Sequence, residues 1–215
     1  MGVYLEPFRQ QMRRQGQRVR WFKAMPCSCY DPGRNYYDRT CTKCSFGQVL
    51  WEQTLDAGVR VLISQLKKSY EHPQFGIIEA GQCSISVMPD ELLLGNLDRL
   101  VLLDRRELQR ERVLQPEDPE EAPVLAQDYP IELRMVCDDT TQFEVGADVT
   151  LDTADGSLTW LDNAPAPGKL YAVEYFCNPV FWFINAEETP PSHNPTFGGE
   201  LPQRGFLVRK WPGET

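Results

Sequence analysis

Tyr4, Leu5, Phe8 and Met12 recur at spacings of three and four, with Arg9, Arg13 and Arg14 between them. That spacing predicts an amphipathic helix over residues 3–23. Gly16 weakens its second half, and Val19, Trp21 and Phe22 lead it into a strand or extended entry. From Phe46 onward the period drops towards two. Strands are predicted at 48–52, 59–64, 75–79 and 83–88, the last with Cys83, Ile85 and Val87 on one face. Residues 67–73 read as a polar loop or ragged strand end. Short apolar runs at 92–94 and 100–103 flank Asn96-Leu97-Asp98-Arg99, and 106–114 reads as a helix or a charged strand, with frequent turns favouring the strand.

The second half continues in the same way. Residues 131–137 alternate, 143–151 reads as a strand, and Asp155-Gly156 has hairpin chemistry because glycine tolerates a positive φ. Residues 171–177 alternate again, 180–184 form a solid apolar block, and Phe206-Leu207-Val208 reads as a last strand. Many short strands separated by turns predict a mainly β chain. The body is a β-barrel or sandwich carrying an N-terminal helix and a small lobe. The expected boundaries are a helical arm (1–25), a cysteine lobe (26–47), a β-rich body (48–185) and a C-terminal arm (186–215). Within the body, 115–123 holds three prolines and four carboxylates and reads as an extended acidic loop.

Charge divides the chain further. Residues 1–50 hold nine Lys/Arg against three Asp/Glu, while 51–215 hold thirteen against twenty-eight. An acidic body argues against a broad DNA-gripping surface, because phosphate affinity comes mostly from displaced counterions. It leaves room for a DNA contact confined to the basic first fifty residues. No apolar run approaches the roughly 18–20 residues of a membrane span, so no membrane partner is expected. The start predicts no secretory leader, and Glu6 argues against myristoylation at Gly2.

Candidate chemistry lies in the cysteines. Cys27-Ser28-Cys29 and Cys41-Thr42-Lys43-Cys44 flank a polar loop. Two close pairs joined by a turn-rich loop can gather four sulfurs around one point, as a tetrahedral zinc ion requires. Disulfides between the two pairs are the alternative. A reducing compartment, expected without a leader, favours metal. Four thiolates leave no open position, so the predicted Zn2+ is structural. Cys83, Cys137 and Cys177 sit in apolar strands and read as small buried hydrophobes.

Nothing in the sequence points to catalysis. It has no P-loop, no Gly-x-Ser-x-Gly and no His-Glu-x-x-His. Its two histidines, His72 and His193, lie in loop-like sequence. Asp138-Asp139 and the Asp152/Asp155 pair sit where turns are expected, and Asp side chains bond to turn backbones. Arg105, Arg106, Arg110 and Arg112 are balanced by Glu107 and Glu111 and read as a solvated face.

Two segments carry a family likeness. One is Pro26 to Gly47, with its four cysteines. The other runs from Gly156 through Trp160 to Pro167-Gly168-Lys169-Leu170-Tyr171-Ala172-Val173-Glu174-Tyr175, ending at Asn178-Pro179-Val180. Together they resemble neck (head–tail connector) proteins of tailed bacteriophages, in which a Cys-rich insertion precedes a β-rich body. Asn96 to Leu102 resembles a Gly-Asp-Arg-x-x-Leu strand of those proteins, with Leu97 in place of the glycine. The patches cover about half the chain.

The resemblance implies a non-enzymatic virion protein of the neck, assembled in the host cytoplasm. It would form a homo-oligomeric ring of six or twelve copies that contacts portal or adaptor and tail proteins. Packaged DNA would pass through it as cargo. The expected subunit contacts are Tyr4, Phe8, Arg9 and Arg13 on the helix and Arg34, Tyr36, Tyr37 and Arg39 in the cysteine lobe. The rival readings are a zinc-ribbon nucleic-acid binder and another phage part, such as a tail terminator or baseplate component.

Overall fold

The computed structural model describes residues 5–31, 33, 36–38, 40–44, 49–65, 70–72, 76–78, 83–88, 94–118, 121–185, 193–194, 199–200 and 203–209. A helix, α1 (Leu5–Gln15), is followed by β1 (Gln17–Pro26), β2 (Tyr30–Asp31), β3 (Tyr36–Tyr37), β4 (Val49–Gln65), β5 (Tyr70–His72), β6 (Gly76–Ile78), β7 (Cys83–Val87) and β8 (Arg99–Leu102). Then come β9 (Glu107–Leu114), β10 (Pro130–Cys137), β11 (Gln142–Phe143), β12 (Val149–Leu151), β13 (Leu158–Trp160) and β14 (Leu170–Cys177). The last are β15 (Val180–Asn185), β16 (His193–Asn194), β17 (Gly199–Glu200) and β18 (Gln203–Arg209). The chain is mainly β. No helix among the described residues is long and apolar enough to cross a membrane.

The chain divides into two compact units, 1–104 with 180–215, and 105–179. The first is a closed barrel in the order β1-β4-β7-β18-β15-β8. Each neighbouring pair is antiparallel. Closure gives every barrel strand a neighbour on both sides. Inside it, Val19, Val61, Ile85, Leu100, Phe183 and Leu207 are almost wholly buried. Gly205 is required at its place on β18, because a Cβ there would collide with the Phe183 ring and stand 2.6 Å from the Ile184 carbonyl oxygen.

The second unit leaves the barrel after β8 and returns at β15. These two strands pair with each other through Val101 and Val180. Its sheet has the order β11-β10-β14-β9, accompanied by the β12–β13 hairpin. β14 alternates strictly: Tyr171, Val173, Tyr175 and Cys177 are buried while the residues between them face outward. Trp160 stands edge-on between Phe143 and Tyr171, with ring centroids 5.0 and 5.4 Å away. Gly156 takes φ 79° in the β12–β13 turn, as the Asp155-Gly156 pair predicts.

Several expected elements differ. The helix ends at Gln15, where the Gly16 N–H donates to the Met12 carbonyl at 2.8 Å. Residues 17–25, expected in the helical arm, form a barrel strand because Val19 and Trp21 alternate inward. The two strands expected at 48–52 and 59–64 are one, β4, and the loop expected at 67–73 contains β5. Residues 143–151 form two short strands instead of one. Gly146 at φ 92° and the Asp148 carboxylate, which accepts the Glu144 N–H at 2.7 Å, turn the chain between them. β18 lies in the barrel although a C-terminal arm was expected over 186–215. His72 and His193, expected in loops, belong to β5 and β16.

Candidate metal centre

β1 delivers the first cysteine pair and β4 follows the second, so the lobe is the connection between two paired barrel strands. The ladder between them ends at Pro26↔Val49. Two local turns shape the lobe. The Tyr30 N–H donates to the Cys27 carbonyl at 3.0 Å, and the Cys41 N–H to the Asp38 carbonyl at 3.2 Å. Short side chains fix the rest: Asp31 accepts the Gly33 N–H at 2.9 Å, and Asp38 accepts the Thr40 N–H at 2.8 Å and its hydroxyl at 2.7 Å. These are Asx turns, which polar residues such as Asp form without tertiary help. β2 and β3 pair within the lobe through Tyr30↔Tyr37 and Asp31↔Tyr36.

The four sulfurs of Cys27, Cys29, Cys41 and Cys44 lie within 4.8 Å of one another. Cys27 and Cys41 are 3.8 Å apart and Cys29 and Cys44 3.7 Å. A disulfide requires about 2.0 Å, and all four thiols are free. A tetrahedral ion with metal–sulfur bonds of about 2.3 Å has ligand–ligand edges of about 3.8 Å. The sulfurs therefore stand near the spacing of a filled shell, and the cluster could hold a metal ion. Cys27 and Cys44 are buried and the other two are half-buried.

Backbone geometry prepares the thiols unequally. The N–H groups of Cys44 and then Lys43 point at Cys41 and bring its pKa down to about 7. This is the sulfur–amide bonding that the Cys-x-x-Cys spacing predicts. Desolvation, followed by hydrogen bonds with the neighbouring sulfurs, pushes Cys29 up to about 12. Four thiolates this close repel one another, and a cation at their centre would remove the conflict.

Below the lobe, at the same end of the β1–β4 ladder, lies a polar cluster to which sequence reasoning gave no role. Asp98 is fully buried. One carboxylate oxygen accepts the Trp21 indole N–H at 2.7 Å and the Gly95 N–H at 2.8 Å, and the other accepts the Ala24 N–H at 2.8 Å. Desolvation raises its pKa, opposed by the Ala24 and Gly95 N–H groups, the indole and the charge of Lys23. Beside it, Leu97 holds a left-handed φ of 68°. Its carbonyl accepts the Trp51 indole N–H at 3.1 Å. The Arg99 guanidinium lies over the rings of Phe22 and Trp51. The signals available were an Asp set among apolar residues before a strand and its place in the Asn96–Leu102 patch.

The expected contact residues that are described lie on α1 and in the cysteine lobe. Phe8 and Arg9 are half-buried on α1 and Arg13 is exposed. The backbones of Tyr36 and Tyr37 form β3, whereas Tyr4, Arg34 and Arg39 lie outside the described residues. Asp138 turns the chain by accepting the Thr140 and Thr141 N–H groups at 2.8 and 2.7 Å. Arg106 and Arg110, expected on a solvated face, are exposed and pair with Glu132 and Glu174. Among the described residues the cysteine cluster is the one group of metal-ligating side chains. No protein-family model matches the sequence, and no curated protein is detectably similar to it.

Proposed function

We propose that the chain is a structural ring subunit of a tailed-phage neck, and that Cys27, Cys29, Cys41 and Cys44 hold a structural Zn2+ ion. The observation that carries the metal assignment is the sulfur spacing of 3.7–3.8 Å in an all-thiolate set. Zinc in such a shell cross-links the chain and has no vacant position for a substrate. The clamp would fix the Tyr30–Thr40 loop as a projection from the barrel end, suited to touching a neighbour. The other two patches that resemble neck proteins have structural roles here. Pro167–Pro179 supplies the turn into β14, an inner strand of the second unit's sheet, and Asn96–Leu102 supplies the Asp98 cluster and β8. The acidic body favours DNA as passing cargo, since carboxylate walls repel phosphates.

In this reading the protein is not an enzyme. It forms a hexamer or dodecamer between portal or adaptor and tail, assembled in the host cytoplasm. Native mass spectrometry with metal analysis tests both halves: rings with one zinc per chain are expected, and a metal-free monomer even with portal and tail partners present would overturn the proposal. The exposed Arg13 and Arg14 in the last turn of α1 favour one second reading, a nucleic-acid contact. It predicts salt-sensitive DNA binding by the isolated chain, whereas the neck reading predicts negligible affinity.

A further inference from the structure

β9 is the outer strand of the second unit's sheet. Just past its end, the Gln115 N–H donates to the Lys169 carbonyl at 2.9 Å and the Gln115 carbonyl accepts the Gly168 N–H at 3.0 Å. The ladder then runs without a bulge from Leu114↔Leu170 to Glu107↔Cys177. In an antiparallel ladder alternate residues turn their backbone groups to the partner strand. Gln109, Glu111 and Val113 therefore face β14, and Leu108, Arg110, Arg112 and Leu114 turn theirs to the open edge. Among the described residues no strand pairs with that edge.

A groove of about 530 Å³ borders the same edge, lined in part by Arg112, Leu114, Glu117, Glu121 and Val124. Its far wall is held in place: the Leu125 N–H donates to the Gly156 carbonyl at 3.0 Å, the Leu158 N–H to the Pro123 carbonyl at 2.8 Å, and the Ala126 N–H to the Glu111 carboxylate at 3.0 Å. Leu114 and Val124 are 57% and 58% exposed, unusually open for apolar side chains facing one groove. In sequence order the lining presents a cation at Arg112, an apolar stretch at Leu114, and anions at Glu117 and Glu121. The neighbouring Arg110 is occupied by Glu174 at 2.6 Å.

We propose that this edge binds an extended segment of a partner protein, added as a strand beside β9. The segment carries an acidic residue opposite Arg112, a branched apolar residue against Leu114 and Val124, and a basic residue near Glu117 and Glu121. Main-chain hydrogen bonds supply affinity in such strand addition, and alternate side chains supply specificity. A second copy of β9 is the wrong occupant. In the antiparallel registers of fullest overlap it sets arginine opposite arginine, and like charges directly opposite destabilise a strand pair. The edge lies outside the cysteine lobe and the barrel and does not depend on the neck reading.

The test is amide hydrogen exchange on the full chain, alone and with the synthetic peptide acetyl-Thr-Glu-Thr-Val-Thr-Lys-Thr-amide. In the free protein the amides of Leu108, Arg110, Arg112 and Leu114 exchange fast, and those of Gln109, Glu111 and Val113 slowly. The peptide slows the first set at least tenfold, and the same peptide N-methylated at alternate residues does not. Arg112→Pro removes an N–H from the open edge while sparing the ladder to β14, and it weakens peptide binding at least tenfold. Four results would each overturn the proposal: protection of the edge amides in dilute free protein, protection that grows with protein concentration, equal effects of the two peptides, or no slowing.

Discussion

The Trp21 indole N–H lies 2.7 Å from the Asp98 carboxylate, inside the barrel end that carries the cysteine lobe. Trp21 belongs to β1 and Asp98 to the turn before β8, so this bond ties two neighbouring barrel strands at the point where their ladder finishes at Phe22↔Arg99.

Asp98→Asn keeps the shape but sets an NH2 against one of three N–H donors. A loss of about 1–3 kcal/mol is expected in denaturant unfolding, and Asp98→Ala, which orphans all three donors, loses more. The pH dependence has a definite sign. Burial raises the folded pKa of Asp98, so between the unfolded value, about 3.9, and the raised one the folded state binds more protons. Its contribution to stability is therefore fully present below the unfolded pKa and falls as pH rises through the folded one. The stability difference between wild type and Asp98→Asn is thus expected to shrink with rising pH. Asp38, Asp104, Asp138, Asp148 and Asp155, all lowered by hydrogen bonds, act in the opposite sense, but they are common to both proteins and cancel. A difference that grows with pH would contradict the assignment.

Leu97, one residue earlier, holds φ 68°, where an L side chain costs about 1–2 kcal/mol. Glycine, which takes a positive φ without strain, suits that backbone. Leu97→Gly relieves the clash but adds about 0.5–1 kcal/mol of backbone entropy loss. The expected net result is unchanged stability or a gain of up to about 1 kcal/mol. Leu97→Ile, branched at Cβ, should lose about 1–2 kcal/mol. Equal melting temperatures for the two variants would show that the turn is not what fixes this residue.

What the sequence disclosed follows from distance along the chain. The cysteine lobe was legible because its ligands and Asx turns fall within eighteen consecutive residues. β7 and β14 were legible because alternation is local. The Asp98 cluster was not, since its donors come from Trp21, Ala24 and Gly95 and only the fold brings the first two to it. The inserted second unit was equally hidden, because it is defined by the pairing of Val101 with Val180 across its whole length. The apolar residues after Gly16 fit the end of a helix or the start of a strand, and barrel closure decided between them.

Gly205 gives a test of the packing inside that closure. Its missing side chain makes room for the Phe183 ring, which is fully buried. Gly205→Ala is expected to destabilise by about 1–3 kcal/mol through overpacking. Shrinking the ring in a Gly205→Ala/Phe183→Leu double variant should recover part of the loss, measured as non-additivity in thermal or denaturant unfolding. Strict additivity would mean that the two residues do not compete for the same space.

The cysteine lobe and the barrel are expected to be separable. The β1–β4 ladder extends from Gln17↔Val61 to Pro26↔Val49, and the Asp98 hydrogen bonds hold its end independently of any metal. Among the described residues the lobe, in contrast, has a two-residue ladder between β2 and β3 and local turns. Removing two ligands by Cys41→Ser/Cys44→Ser should therefore abolish metal binding, measured as the loss of one equivalent in native mass spectrometry. It should open the Tyr30–Thr40 loop to protease while the far-UV circular dichroism of the barrel stays unchanged. Acidification of the wild type should release the metal as protons compete for the thiolates, with the same local opening. Global unfolding of the double variant would show that the lobe supports the barrel. Retention of the metal would show that these four sulfurs are not its ligands.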